Sequence, residues 1–165
     1  MHELPTTGRT QGPKGQEGVP HPRRLAGGNE HTTKDLPLKM SVLFVDDDTV
    51  LRKMFTRALR RVAPEWEIQE ASNGETALRM VESQHFDLIF IDQYMASIEK
   101  QLLGTETVRE FRAKGVQSII CGLSANDTEE LFMDAGATAF MFKPFACEKK
   151  ALQAEINRVL DADVK

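Results

Sequence analysis

The sequence predicts an α/β protein with a doubly wound, five-stranded parallel sheet, five flanking helices and a disordered N-terminal tail. Two observations lead to this prediction. Short runs rich in β-branched and aromatic residues alternate along the chain with segments whose apolar residues recur at helical spacing. Proline and glycine are concentrated at the start, where the first 39 residues hold five of the seven prolines and six of the eleven glycines.

The chain divides near residue 39. The first 39 residues contain no Phe, Tyr, Trp or Ile, so this segment cannot bury enough apolar surface to offset the entropy lost on ordering. We therefore predict a disordered tail over residues 1–39 and one folded domain over residues 40–165.

The elements of the domain follow from its hydrophobic pattern. Five apolar runs predict strands at residues 41–45, 66–71, 88–91, 118–123 and 139–142. Apolar residues on one face predict the first, second and last helices, and residues 105–114 and 126–134 are shorter helical candidates. The residues that define these three faces are Leu51, Met54, Phe55, Leu59 and Val62; Ala77, Leu78 and Val81; and Leu152, Ile156, Val159 and Leu160.

Composition excludes several classes of protein. The formal net charge of -4 gives no reason to expect nucleic acid or an anionic membrane as the main partner. No apolar run approaches the roughly 18 residues of a membrane-spanning helix, and the N-terminus lacks the apolar core of a secretory signal. We predict a cytoplasmic protein in which Cys121 and Cys147 are free thiols.

Chemically active side chains follow four of the five predicted strands. In a doubly wound sheet the functional site lies beyond the carboxyl ends of the strands. The residues at these positions are Asp46, Asp47 and Asp48 after the first strand, Asp92 after the third, Ser124 after the fourth and Lys143 after the fifth. One rim of the sheet is therefore expected to collect carboxylates, a hydroxyl and an ammonium.

The gathering of negative charge at this rim requires a counter-charge. Lys143 supplies one positive charge, and a hard divalent cation bound by oxygen ligands would supply the rest, for which Mg²⁺ is the expected ion. Asp92 stands alone after an apolar strand, where a carboxylate can attack a phosphoryl group to give an aspartyl phosphate. The metal, Lys143 and Ser124 would then neutralise the phosphoryl oxygens.

Four short motifs resemble the receiver domain of two-component response regulators and hybrid histidine kinases. They are VDD at 45–47 with Arg52 five residues after Asp47, FID at 90–92, LSA at 123–125 and KPF at 143–145. The likeness covers residues 40–162 or so and implies a flavodoxin-like fold. It departs from the family at residue 96, where Ala replaces a common proline, and in a longer loop from Gln93 to Gly104.

The resemblance implies a role for each matching position. Asp92 would be the phosphorylated residue, and Ser124 and Lys143 would contact the phosphoryl group. Ser124 and Phe140 would be the switch residues, and Pro144 would follow a cis peptide bond. The metal site would consist of the acidic pair Asp46 and Asp47, Asp92 and the backbone carbonyl of Tyr94. Within the acidic pair, Asp47 would be the direct ligand.

The resemblance also implies partners. A histidine kinase or a histidine phosphotransfer protein would donate the phosphoryl group in a phosphorelay, and a homodimer that forms on phosphorylation is compatible with the family. The domain would not be an enzyme in the usual sense, because it would catalyse only its own phosphorylation and dephosphorylation. Its output would be a conformational change.

Two alternatives remain at the level of sequence. The string from Asp46 to Leu51 also resembles the first motif of haloacid-dehalogenase-type phosphatases, in which Asp46 would attack phosphate and Asp48 would act as acid and base. That scheme lacks a final acidic pair and leaves Asp92 unexplained. The second alternative is a receiver-like interaction module that binds partners without phosphorylation.

Overall fold

The computed structural model describes residues 34–95 and 102–163. Most of the predicted tail, residues 1–33, and the predicted departure at residue 96 lie outside the described residues. The strands are β1 (Ser41–Val45), β2 (Glu67–Ala71), β3 (Leu88–Asp92), β4 (Ile119–Ser124) and β5 (Ala139–Phe142). The helices are α1 (Thr49–Val62), α2 (Gly74–Ser83), α3 (Gly104–Ala113), α4 (Glu129–Ala135) and α5 (Lys149–Asp161).

The strands form one parallel sheet in the order β2-β1-β3-β4-β5. The strand order reverses direction at β1, since the chain first moves outward to β2 and then returns past β1 to β3. Helices consequently cover both faces. This confirms the predicted doubly wound fold and brings the carboxyl ends of all five strands to one rim.

Alternate residues of β1 enter two separate cores. Val42 and Phe44 pack with α1 and α5, whereas Leu43 and Val45 pack with α2, α3 and α4. The first core contains a cluster of aromatic rings, in which Phe55 stacks on Phe44 at a centroid distance of 4.4 Å. Both faces of the sheet are therefore buried, as the continuous apolar strands require.

Helix α4 is shorter than the predicted helix over residues 126–134 and begins only at Glu129. The reason lies in the turn that follows β4. The Asn126 amide donates to the Ser124 hydroxyl at 3.1 Å, and the Thr128 amide donates to the Asn126 carbonyl at 2.9 Å. These bonds hold the backbone in a turn, so the helical hydrogen bonds start later.

The last residues of the predicted tail contact the domain. The Lys34 carbonyl accepts hydrogen bonds from Gln153 and Asn157 of α5 at 3.1 and 2.9 Å. Leu36 packs against the first core, and the Trp66 indole donates to the Pro37 carbonyl at 2.8 Å. Residues 34–37 are thus anchored, because one leucine and two backbone carbonyls find partners on the domain. Within the described ranges, no helix has the length and apolar character to cross a membrane.

Candidate functional site

Three strands bring Asp46, Asp92 and Lys143 together at the carboxyl rim. The Lys143 ammonium donates to Asp46 Oδ2 at 2.8 Å and to Asp92 Oδ1 at 3.1 Å. Asp46 is fully buried and Asp92 is 6 % exposed. One lysine therefore links two buried carboxylates that lie 46 residues apart in the chain, as the positions after β1, β3 and β5 predict.

The acidic run after β1 is divided into different local roles. Asp46 Oδ1 accepts from the Asp48 amide at 2.9 Å, and the Asp48 carboxylate accepts from the Leu51 amide at 3.1 Å, which caps α1. The Arg52 guanidinium donates to the Asp46 carbonyl. These bonds hold the turn between β1 and α1 and leave Asp48 facing its own helix.

Three carboxylates could hold a metal ion. Oxygen atoms of Asp46, Asp47 and Asp92 all lie within 4.8 Å of one another. Oxygen donors of this charge and number suit Mg²⁺, which usually takes one or two carboxylates and keeps coordination positions for water or phosphate. Asp47 is exposed, so the cluster is open to solvent on that side. The residues fit the predicted ion.

Electrostatics at the rim follows from burial. Burial, together with repulsion from Asp46 and Asp47, raises the pKa of Asp92 to about 6 despite attraction from Lys143. Burial opposes the charged form of Lys143, but hydrogen bonds and attraction from Asp46 and Asp92 outweigh it, so its pKa lies above the ordinary value. The site therefore suits a bound cation, because repulsion among its carboxylates acts on Asp92 even with Lys143 in contact.

The remaining predicted residues surround this centre. Ser124 ends β4 and is buried, and its carbonyl accepts from the Lys143 amide at 2.9 Å. Phe140 is buried in β5 and packs edge-on against the exposed ring of Phe142, with centroids 5.0 Å apart. Tyr94 is 55 % exposed. The Lys143–Pro144 peptide bond is cis, as predicted. The switch roles of Ser124 and Phe140 and the metal-binding role of the Tyr94 carbonyl stay predictions.

Sequence reasoning missed a group that supports Asp92 from behind. Gly104 approaches the Asp92 carbonyl so closely that an added Cβ would lie 2.1 Å from the oxygen. Buried Gln93 accepts from the Thr105 amide at 2.9 Å and donates to the Thr105 hydroxyl at 3.2 Å. These contacts join the end of β3 to the start of α3. The signal available in the sequence was a glycine directly before a helical pattern.

Comparison with known proteins identifies a family for this chain. The model of the response regulator receiver domain family matches residues 42–157. The chain is 31% identical over 116 residues to the sensor protein EvgS of Escherichia coli O157:H7, covering 68% of this chain and 9% of EvgS. It is 32% identical over 124 residues to the response regulator MprA of Mycobacterium leprae, covering 73% of this chain and 51% of MprA.

A solved structure shares the fold over nearly its whole length. The chemotaxis response regulator CheY4 of Vibrio cholerae superposes with a TM-score of 0.64 at 26% sequence identity, covering 73% of this chain and 98% of CheY4. The chain thus spans about a tenth of the length of EvgS, about half of MprA and nearly all of the CheY4 chain.

Proposed function

The chain belongs to the response regulator receiver domain family, a signalling module of two-component systems, and we propose that its Asp92 carboxylate accepts the phosphoryl group. The donor would be a histidine kinase or a histidine phosphotransfer protein, the partners with which this family interacts. The observation that carries the proposal is the Lys143 ammonium, which binds both Asp92 and Asp46 beside a third carboxylate.

The reaction is a displacement at phosphorus. A carboxylate oxygen of Asp92 attacks the phosphoryl group of phosphohistidine, the P–N bond breaks, and the imidazole leaves as the acyl phosphate forms. Lys143 already lies 3.1 Å from Asp92 and can move its hydrogen bond to a phosphoryl oxygen. Asp46, fully buried, keeps the ammonium in place during this exchange.

A Mg²⁺ ion would be held by Asp46, Asp47, Asp92 and the Tyr94 carbonyl. Its chemistry there is to offset the charge on the phosphoryl oxygens. The supporting observation is the cluster of carboxylate oxygens within 4.8 Å.

Output would pass through Ser124 and Phe140. The Ser124 hydroxyl is held by the Asn126 amide and would turn toward a phosphoryl oxygen, which would loosen the turn before α4. Phe140 lies between Phe132 of α4 and Phe142, so its movement would change the surface formed by β5 and α4. Phosphorylation would thereby shift a two-state equilibrium.

We propose that the reaction takes place in the cytoplasm. The reducing environment there keeps thiols such as Cys121 and Cys147 unlinked. The domain would catalyse only its own phosphorylation and dephosphorylation. The phosphatase alternative gains no support, because the Asp48 carboxylate caps α1 and the comparisons identify receivers. A phosphorylation-independent module gains none either.

Intact-mass spectrometry after incubation with acetyl phosphate tests the proposal. We expect one phosphoryl adduct that requires Mg²⁺ and is absent from Asp92→Asn. Asp134→Asn, which changes an exposed carboxylate on α4, is the matched control and should retain the adduct. An adduct that persists in Asp92→Asn, or none at all in the unmodified protein, would overturn the assignment.

A further inference from the structure

The second half of α1 carries an excess of positive charge that the proposed phosphoryl transfer does not use. Helix α1 contains five cationic side chains and no acidic one, although the whole protein has a net charge of -4. The five residues are Arg52, Lys53, Arg57, Arg60 and Arg61. A helix that buries one face needs polar residues on the other, but it does not need them all to have one sign.

Pairing inside the protein accounts for only two of these cations. Glu70 of β2 accepts from Arg52 Nε at 3.2 Å and from Lys53 Nζ at 3.0 Å, so both of its oxygens are occupied. Arg57, Arg60 and Arg61 are exposed and have no ion pair or hydrogen bond to any described residue. Attraction to the helix C-terminus accounts for Arg60 and Arg61 in the last turn, but Arg57 lies a turn earlier.

These cations border a concave cleft between α1 and the edge strand β2. The cleft has a volume of about 410 Å³, which lies within the range of small-molecule sites. Its lining residues are Lys53, Thr56, Arg57, Arg60, Arg61 and Glu70.

Thr56 supplies a second, independent observation. It lies on the wall of this cleft and is only 3% exposed. Its hydroxyl oxygen is buried and has no hydrogen-bond partner among the described residues. Buried hydroxyls are normally paired, and leaving one without a partner costs free energy. A buried hydroxyl donor beside three exposed guanidinium groups, none of them paired with a described residue, suits an oxyanion ligand.

We propose that this cleft binds an oligophosphate group, carried either by free inorganic oligophosphate or by a nucleotide. One guanidinium group can donate two parallel hydrogen bonds to two phosphate oxygens. Three arginines therefore suit two or three linked phosphates better than a single phosphate. Lys53 would share its charge between Glu70 and the ligand. The cleft lies along the second half of α1, whereas Asp48 at the start of α1 adjoins the phosphoacceptor rim, so a ligand here leaves Asp92 accessible.

Isothermal titration calorimetry of the whole chain with sodium tripolyphosphate tests the site. EDTA is included, because without a metal ion the carboxylates at the rim repel phosphate. We expect saturable binding of one ligand that weakens about tenfold or more in the double variant Arg57→Gln/Arg61→Gln, since each lost phosphate contact of this kind contributes appreciably. Thr56→Val keeps the side-chain shape and should weaken binding by a smaller factor.

The matched control is Arg79→Gln/Arg109→Gln, which removes the same charge from exposed positions on α2 and α3. The control should bind as tightly as the unmodified chain, and equal weakening in both double variants would overturn the site. The site would also be overturned if no saturable binding occurred up to about 1 mM tripolyphosphate, since even weak affinity would be detected at that concentration. Hexaglutamate should not compete, and equal binding of that peptide would contradict specificity for phosphate.

A parallel titration with ATP in EDTA distinguishes the two sources. Tighter binding of ATP than of tripolyphosphate would support the site and assign it to a nucleotide. Equal or weaker binding of ATP would support the site and assign it to inorganic oligophosphate.

Discussion

The carboxyl rim and the second half of α1 both hold like charges that the protein does not fully pair, but they differ in burial. At the rim, Asp46 and Asp92 are buried with one ammonium between them. On α1, Arg57 and Arg61 stand in solvent. Water screens the arginines at little cost, whereas buried carboxylates repel one another strongly. The rim should therefore be the region where charge changes alter stability.

Removal of Lys143 should have the largest effect. Lys143→Met leaves two buried carboxylates without their shared ammonium, and we expect the free energy of unfolding to fall by about 2–4 kcal/mol at neutral pH. Urea unfolding followed by circular dichroism measures it. Lys114→Met is the control, since it breaks an exposed pair with Glu82 and should change stability far less. Equal losses in both variants would contradict the comparison.

Neutralisation of Asp92 should stabilise the protein. The folded-state pKa of about 6 lies above the ordinary 3.8, so the folded protein holds this proton more tightly than the unfolded chain. The stabilisation of the fold by this proton is fully present at low pH and is lost as pH rises through about 6. Asp92→Asn should therefore raise the free energy of unfolding by about 1–3 kcal/mol at pH 7.

The gain from Asp92→Asn should nearly vanish at about pH 4, where the carboxyl group is protonated in the unmodified fold. Urea unfolding at the two pH values measures the difference. A gain of the same size at both would show that packing, and not charge, is responsible.

Binding of Mg²⁺ should stabilise the protein through the carboxyl rim and not through the arginines of α1. At a concentration tenfold above its dissociation constant, the ion should add about 1.4 kcal/mol to the free energy of unfolding. Thermal unfolding with and without Mg²⁺ measures this, and Asp47→Asn should remove most of it. Arg57→Gln/Arg61→Gln serves as the control and should keep the full effect. An unchanged response in Asp47→Asn would exclude this carboxylate as a ligand.

The smallest effect is expected at Thr56. Thr56→Val removes a buried hydroxyl that has no partner among the described residues, so stability should stay the same or rise by about 0.5 kcal/mol. Chemical unfolding at neutral pH measures the change. A loss of more than about 1 kcal/mol would mean that the hydroxyl makes a stabilising contact in solution.

Much of the architecture could be predicted because it depends on local pattern. The strand at 41–45 agrees with β1, and Asp46, Asp92 and Lys143 meet because they follow strands of one parallel sheet. Position after a strand is readable from sequence, so the charged members of the rim could be named before their distances were known.

The contacts that were missed join residues distant from any periodic pattern. The approach of Gly104 to Asp92 depends on the path of the intervening chain, and the Gln93–Thr105 pair has no spacing rule. The late start of α4 reflects a hydrogen bond to Ser124, which competes with the helix. Such contacts depend on tertiary geometry, which hydrophobic spacing does not encode.

The anchoring of residue 34 on α5 has a consequence for the way this domain joins other segments. Lys34 Nζ lies 3.5 Å from Asp161 Oδ1 at the end of α5. The backbone therefore enters and leaves the fold beside the same helix. Neighbouring entry and exit points permit a domain to be inserted into another chain, or its ends to be relocated, with little disturbance of the fold. Segments joined at these two points would both lie beside α5.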